Sequence, residues 1–111
     1  MKRYKIKIDI EAFTDIQDTI YWYNEARKGL GIRFQNTVIR QINSLKKTPH
    51  IYAIRYNEIR CMLVKKFPYM VHFIINEENN TIEILAVIST HRNPEIWHKK
   101  TNRPSSGESL Y

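Results

Sequence analysis

The chain has 111 residues, of which 42% are hydrophobic and 26% charged, and its 18 lysines and arginines exceed its 11 aspartates and glutamates to give a net charge of +7. This length fits one domain, and the apolar content suffices for a core, which excludes a disordered chain and a disulfide-stapled scaffold. We expect a basic domain that folds alone.

Cysteine usage and hydropathy narrow the class further. Cys61 is the only cysteine, so no internal disulfide can form, and no cysteine or histidine spacing typical of zinc sites occurs. The sequence therefore predicts no metal and no cofactor. The amino terminus lacks the apolar segment of a signal peptide, and the longest apolar run is too short to span a bilayer. We predict a cytoplasmic protein without membrane contact.

The positive charge is concentrated in the first part of the chain. Residues 1–48 carry ten basic and five acidic side chains, whereas residues 49–111 carry eight and six. Such a surplus favours a polyanionic partner, either nucleic acid or an acidic protein. The alternative is that the charge serves only solubility.

The amino-terminal half reads as a strand followed by two helices. Residues 3–9 alternate apolar and charged side chains, as a half-buried strand does. Asp9 then stands where its carboxylate can cap a helix. The apolar side chains that follow at helical spacing are Phe13, Ile16, Ile20 and Tyr23. A second helix follows Gly29 and ends before Pro49, so the two helices should form an antiparallel hairpin.

The carboxy-terminal half changes to strand character. Apolar runs at residues 59–66, 69–75 and 82–88 are separated by turn residues and predict three strands, with a further short strand or a turn at residues 52–56. The predicted fold is α+β, in the order strand-helix-helix-strand-strand-strand, with the helical hairpin packed on one face of a small, mainly antiparallel sheet. We expect one domain over residues 1–97, followed by a polar, flexible tail at residues 98–111.

The last two strands are apolar on both faces. A single helical hairpin covers only one face of a sheet, so the second face needs the tail, a dimer mate or a partner chain. The alternative is that the sheet curls enough to shield itself.

Candidate site residues lie on or near these strands. Antiparallel pairing would bring Lys65 and Lys66, before one turn, close to His91 and Arg92 after the last strand. Such a cationic edge suits metal-independent RNA cleavage, which needs an acid, a base and cations around the phosphate. The candidate catalytic residues are His91, Arg92, Arg60, Lys65 and Lys66, and the candidate substrate-binding residues are Tyr69 and Trp97.

Each candidate also has a plainer interpretation. His91 at a strand end is commonly a surface residue, and paired lysines before a turn discourage edge pairing. Trp97 can equally be a hydrophobic anchor that holds the carboxy-terminal segment on the core. His72, inside an apolar strand, is interpreted as structural.

A family resemblance emerges when these segments are combined. The residues that carry it are Asp15-Ile16, Tyr21-Trp22-Tyr23, Gly29-Leu30-Gly31, Phe34, Pro49, Arg60, Lys66-Phe67-Pro68-Tyr69, residues 84–87, His91-Arg92-Asn93-Pro94 and Trp97. In order and spacing they resemble the RelE/ParE superfamily of type II toxin-antitoxin toxins, to which plasmid stabilisation proteins belong. The resemblance covers residues 3 to about 98, and the Lys-Phe-Pro-Tyr and His-Arg-Asn-Pro motifs are its most specific parts.

The resemblance implies a partner and two alternative activities. The partner is a cognate acidic antitoxin that wraps the toxin. Of the two activities, we predict RelE-like cleavage of messenger RNA on the ribosome, with Trp97 standing where such enzymes often have a tyrosine. The other is ParE-like poisoning of DNA gyrase without any chemistry by the toxin. A third alternative is an inactive module that only binds its partner.

Overall fold

The structure, a computed structural model, describes residues 3–101, which form an α+β fold. The elements are β1 (Lys5–Ile8), α1 (Ile10–Ala26), α2 (Leu30–Ser44), a 3-10 turn (Pro49–Ile51), β2 (Ile54–Tyr56), β3 (Ile59–Leu63), β4 (Tyr69–Asn76), β5 (Thr81–Ser89) and α3 (Glu95–Thr101). The predicted order of a strand, two helices and three strands is confirmed. The segment left open between a strand and a turn contains the short strand β2, and α3 is an additional helix.

The strands form one sheet in the order β1-β5-β4-β3-β2. β1 runs parallel to β5, and the other neighbouring pairs are antiparallel, as the mainly antiparallel prediction requires. Met62, Val71 and Val87 stand opposite one another across β3, β4 and β5. All three are buried beneath the helices, so the core lies between the helical hairpin and this face of the sheet.

The helical hairpin packs through a close contact at Gly31. Its backbone N–H donates a hydrogen bond to Oδ1 of Asn24 over 2.7 Å. A Cβ atom at Gly31 would lie 2.6 Å from Cγ of Asn24 and would also clash with the carbonyl oxygen of Ile20. The absence of a side chain at Gly31 therefore sets how closely α2 approaches α1.

Two local predictions about α1 need correction. Phe13 is 51% exposed, because the buried stripe of α1 runs through Ala12, Ile16 and Tyr23 instead. Asp9 does stand at the N-cap position, but its side chain makes no capping hydrogen bond. Its backbone amide continues the β1–β5 ladder by donating to the carbonyl of Ile84 over 2.9 Å.

The helix α3 covers part of the second face of the sheet. The Trp97 ring packs 4.9 Å from that of His72 on β4 and 5.4 Å from that of Tyr56 on β2. The predicted tail begins at residue 98, but residues 98–101 belong to this helix, and buried Thr101 lies against the sheet. Residues 102–111 lie outside the described residues.

A groove of about 660 Å³ lies beside α3 on the same face. Its apolar lining includes Ile59, Ile74 and Leu85, and His98 and Lys99 of α3 contribute polar lining. Within residues 3–101, no helix is long and apolar enough to cross a membrane.

Candidate functional site

Two neighbouring turns bring four of the predicted site residues to one end of the sheet. The Thr90 N–H donates to the carbonyl of Pro68 over 2.8 Å, and Tyr69 pairs with Ser89. The turn between β3 and β4 is therefore joined to the segment that follows β5. This arrangement follows from antiparallel pairing, as the sequence analysis expected.

The turn between β3 and β4 carries Lys65 and Lys66. It is closed by a hydrogen bond from the Val64 N–H to the carbonyl of Tyr69 over 2.8 Å. Lys66 has a φ of 67°, a left-handed conformation that a non-glycine residue adopts mainly in tight turns. Both lysines are exposed.

The segment after β5 carries His91 and Arg92 and is organised by Ser89. The Ser89 hydroxyl oxygen accepts from the His91 N–H over 3.1 Å, and its carbonyl accepts from the Arg92 N–H over 3.1 Å. Both residues are exposed. We call Lys65, Lys66, His91 and Arg92 the cationic rim, an exposed surface suited to contact an anionic partner.

The structure does not bring Arg60 to this rim. Arg60 pairs with Phe73 near the start of β3, and its Nη1 donates to the carbonyl of Tyr52 over 2.6 Å. β3 ends at Leu63, before the turn with Lys65 and Lys66, so Arg60 lies about 10 Å along the strand from the end that leads into this turn. Arg60 therefore contributes to the packing around the 3-10 turn.

The two aromatic candidates contribute to different packing clusters. The Tyr69 ring lies 5.4 Å from Phe34 and 6.1 Å from Tyr23, under the helical hairpin. Trp97 lies on the opposite face, where Cζ of Arg55 stands 5.6 Å from its ring centroid. The anchor interpretation of Trp97 agrees with these contacts.

Sequence reasoning missed a buried polar cluster beneath α3. The Tyr56 hydroxyl lies 2.9 Å from Nδ1 of His72 and 3.2 Å from Oγ1 of Thr101, while Sγ of Cys61 lies 3.4 Å from the same His72 nitrogen. Burial lowers the pKa of His72 to about 4 and raises the pKa of Cys61 to about 11. Both groups are therefore neutral at pH 7.

These residues were missed because they are far apart in sequence. The usable signal was the pairing of polar residues on strands that are otherwise apolar. No group of three or more histidine, cysteine, aspartate or glutamate side chains within residues 3–101 is arranged to hold a metal ion.

Fold and site together define a small α+β domain with an exposed basic edge. The family model described as the ParE toxin of the type II toxin-antitoxin system parDE matches residues 6–94. The chain therefore belongs to the ParE toxin family, within the RelE/ParE superfamily, and is a toxin of a type II toxin-antitoxin system. A search of curated proteins finds no significant sequence match.

Solved structures with the same fold come from ParDE, RelBE2 and RelE proteins. A chain of the chromosomal ParDE toxin-antitoxin system of P. aeruginosa is 15% identical, with a TM-score of 0.69 over 78% of this chain and 96% of that one. A mutant of the E. coli toxin RelE in the free state is 12% identical, with a TM-score of 0.68 over 91% and 97%. A chain of the RelBE2 toxin-antitoxin complex of Mycobacterium tuberculosis is 18% identical, with a TM-score of 0.60 over 80% and 93%. These likenesses show the shared fold.

Proposed function

We propose that this toxin acts as ParE-like toxins do, by binding DNA gyrase through the cationic rim without chemistry of its own. The main support is that two of the residues predicted to serve RNA cleavage lie away from the rim. Arg60 is engaged by the Tyr52 carbonyl, and Trp97 packs on His72 on the other face. The family model, which is that of ParE rather than RelE, points the same way.

The chemistry of RNA cleavage explains why this separation matters. A ribose hydroxyl must lose a proton as it attacks phosphorus, the leaving oxygen must gain one, and the phosphate needs cations. These groups have to act within hydrogen-bonding distance of one phosphate. Trp97 cannot supply a proton as a tyrosine does, because an indole has no readily ionisable hydroxyl.

Messenger RNA cleavage is the second candidate, and one observation favours it. His91 follows β5 beside the turn that carries Lys65 and Lys66, so a histidine and three cations share the rim. In this alternative His91 takes the proton of the attacking hydroxyl, and Arg92 stabilises the charge that develops on the phosphate. The bond from phosphorus to the leaving oxygen then breaks, and water at the exposed rim protonates that oxygen. Either target implies a cytoplasmic toxin.

The two functions differ in what the toxin leaves behind in the cell. We expect tightly controlled expression to induce a DNA-damage response and gyrase-linked DNA breaks, with messenger RNA left intact. Mapped messenger ends phased with the ribosome, without DNA breaks, would instead establish the nuclease. An absence of both, together with normal growth, would favour the inactive binding module.

Variants of the cationic rim test whether toxicity depends on this surface, whichever of the two mechanisms applies. Replacing Lys65 and Arg92 together by alanine should abolish toxicity, whereas the matched double variant R27A/K28A, which also removes two exposed cations, should remain toxic. H91Q keeps a hydrogen-bonding side chain on the rim but cannot transfer a proton, so it should stay toxic if the toxin only binds gyrase and lose toxicity if His91 acts as a base. Undiminished toxicity of K65A/R92A would exclude the rim as the target-binding surface.

We also propose that an acidic antitoxin binds the outer surface of the helical hairpin. Six large apolar side chains of α1 and α2 are exposed, and we call four of them the hairpin strip: Phe13 (51%), Tyr21 (68%), Ile32 (49%) and Ile39 (38%). Arg33 and Arg40, one residue beyond the two isoleucines, are exposed and one heptad apart on α2. An antitoxin segment with apolar and acidic side chains would complement this surface.

A further inference from the structure

Strand β5 extends beyond its neighbour β1, and a carboxylate occupies the place where a strand would continue. β1 ends at Ile8, and its ladder closes when the Asp9 N–H donates to the Ile84 carbonyl. β5 continues to Ser89. On this edge the Val87 N–H donates to Oδ2 of Asp15 over 2.9 Å, from a residue of α1.

The other oxygen of the same carboxylate binds α3. Nζ of Lys100 lies 2.7 Å from Oδ1 of Asp15 and 2.5 Å from Oε2 of Glu11. The Asp15 side chain is only 11% exposed and that of Lys100 is 18% exposed, whereas that of Glu11 is 51% exposed. Asp15 is thus the sheltered centre of a junction between α1, β5 and α3.

The energetics of Asp15 indicate that this junction is not simply a stabilising ion pair. Burial raises the pKa of the Asp15 carboxyl, although Lys100 and the Val87 amide act to lower it. A carboxyl whose pKa is raised by folding is destabilised in its charged form, so ionised Asp15 lowers the net stability of the fold at neutral pH. The benefit of the charge therefore lies in the geometry that it fixes.

We infer that Asp15 is a positioning residue that locks α3 and the free end of β5 onto α1 and so holds the cationic rim in place. The connection to the rim is short, because Val87 lies two residues before Ser89, which accepts hydrogen bonds from the His91 and Arg92 amides. This inference rests on the proposed function in so far as the rim binds the target. The docking of α3 by Asp15 can be measured without any target.

Cys61 offers a direct probe of α3 docking. It is the only cysteine of the chain, and its sulfur lies against His72, on which Trp97 of α3 packs. Burial raises the pKa of this thiol to about 11, so it reacts slowly while α3 is docked. Release of α3 exposes the thiol and increases its rate of reaction with a disulfide reagent.

The informative variant is D15N, with D18N as its matched control. Asparagine at position 15 keeps an oxygen that can accept from the Val87 N–H but carries no charge to hold Lys100. Asp18 is an exposed residue of the same helix and undergoes the same chemical change. We expect Cys61 of D15N and of K100M to react about tenfold faster than in the wild type, since each loses a sheltered, charge-assisted hydrogen bond. D18N should react at the wild-type rate.

Three further measurements distinguish a role of Asp15 in positioning α3 from a general loss of stability of the fold. The denaturation midpoint of D15N should stay close to that of the wild type, because the variant also removes a costly buried charge. Adding D15N to K100M should not accelerate the Cys61 reaction beyond the rate of K100M alone, because K100M already removes the contact of Lys100 with Asp15. D15A, which also removes the acceptor for Val87, should reduce toxicity.

The possible results lead to different conclusions. A wild-type Cys61 rate in D15N, or an equal acceleration in D18N, would overturn the lock. A third result is possible, in which Cys61 of D15N is labelled faster, D15A is fully toxic and K65A/R92A is not toxic. This result would overturn the link from Asp15 to the rim but would not contradict the proposed function. Full toxicity of K65A/R92A would overturn both the proposed function and the link from Asp15 to the rim. The labelling rates of Cys61 would still show whether Asp15 holds α3 in place.

Discussion

His72 is a buried histidine, and its protonation is expected to make this fold sensitive to acid. The side chain is fully buried between Tyr56 and Trp97, and burial, assisted by the charge of Arg55, lowers its pKa to about 4. In the unfolded chain the pKa of a histidine is about 6.5. Protons are therefore bound more readily by the unfolded chain in the interval between these values.

We predict that the free energy of unfolding falls as the pH is lowered from about 6.5 to about 4, by at most about 3 kcal/mol for this residue. Urea titrations at a series of pH values measure this slope. H72Q should flatten the profile, because glutamine does not titrate, whereas H91Q, which changes an exposed histidine, should retain it. A profile of equal slope in H72Q would show that other groups cause the acid sensitivity.

The structural role of His72 was predictable from sequence, but its contacts were not. An apolar strand around a single histidine indicates burial, and the structure confirms it. Its partners Tyr56 and Trp97 come from distant parts of the chain and meet only because β2 and α3 fold over the second face of the sheet. Local periodicity holds no information about such a meeting.

At the scale of elements, α3 was missed although its start signals are present. The side chain of Asn93 accepts from the Glu95 N–H over 3.0 Å, Pro94 follows it, and Glu95 is acidic in the first turn. A helix of seven residues is too short to be stable alone in water. Its stability must come from the tertiary contacts of Trp97, Lys100 and Thr101, which no short window of sequence reveals.

The hairpin of α1 and α2 depends on two glycines for different reasons. Gly31 lies where any Cβ would clash with Asn24 and Ile20. Gly29 has open space around it but adopts a φ of 86°, a left-handed conformation. One position is therefore limited by packing and the other by backbone geometry.

We predict that G31A lowers the free energy of unfolding by about 1–3 kcal/mol, because α2 must move away from α1. G29A should cost about 1 kcal/mol through its backbone, and G29N less, because asparagine tolerates the left-handed region. Chemical denaturation of the three variants gives these values. If G31A were as stable as the wild type, the close approach of the helices would not be needed for the fold.

At the scale of the whole molecule, the order of the elements was predictable, whereas the distribution of the site residues was predictable only in part. Antiparallel pairing alone brings the turn at Lys65 and Lys66 next to the segment with His91 and Arg92. The proximity of these four residues was therefore predictable from the order of the strands. Arg60 and Trp97 separate from them because they lie at the other end of β3 and on the other face of the sheet. Family motifs follow the order of the chain and do not distinguish rim from packing residues.

The charge of the molecule also divides between two surfaces. Most of the surplus lies in residues 1–48, and the cationic rim lies outside that region. Arg33 and Arg40 are exposed on the hairpin, near the apolar strip formed by Phe13, Tyr21, Ile32 and Ile39. The net charge of +7 is therefore better evidence for an acidic antitoxin on the hairpin than for an anionic target at the rim.

We predict that F13S/I39S abolishes co-purification with the cognate antitoxin, and that it weakens binding about 100-fold if each apolar contact contributes about 1–2 kcal/mol. The toxin fold should survive, because both side chains are exposed. L63S is the matched control, since Leu63 is 60% exposed but lies on β3 rather than on the hairpin. R33Q/R40Q should instead slow association and reduce its dependence on salt, as loss of electrostatic steering does. Full antitoxin binding by F13S/I39S, or loss of binding in L63S alone, would move the antitoxin surface from the hairpin to the sheet.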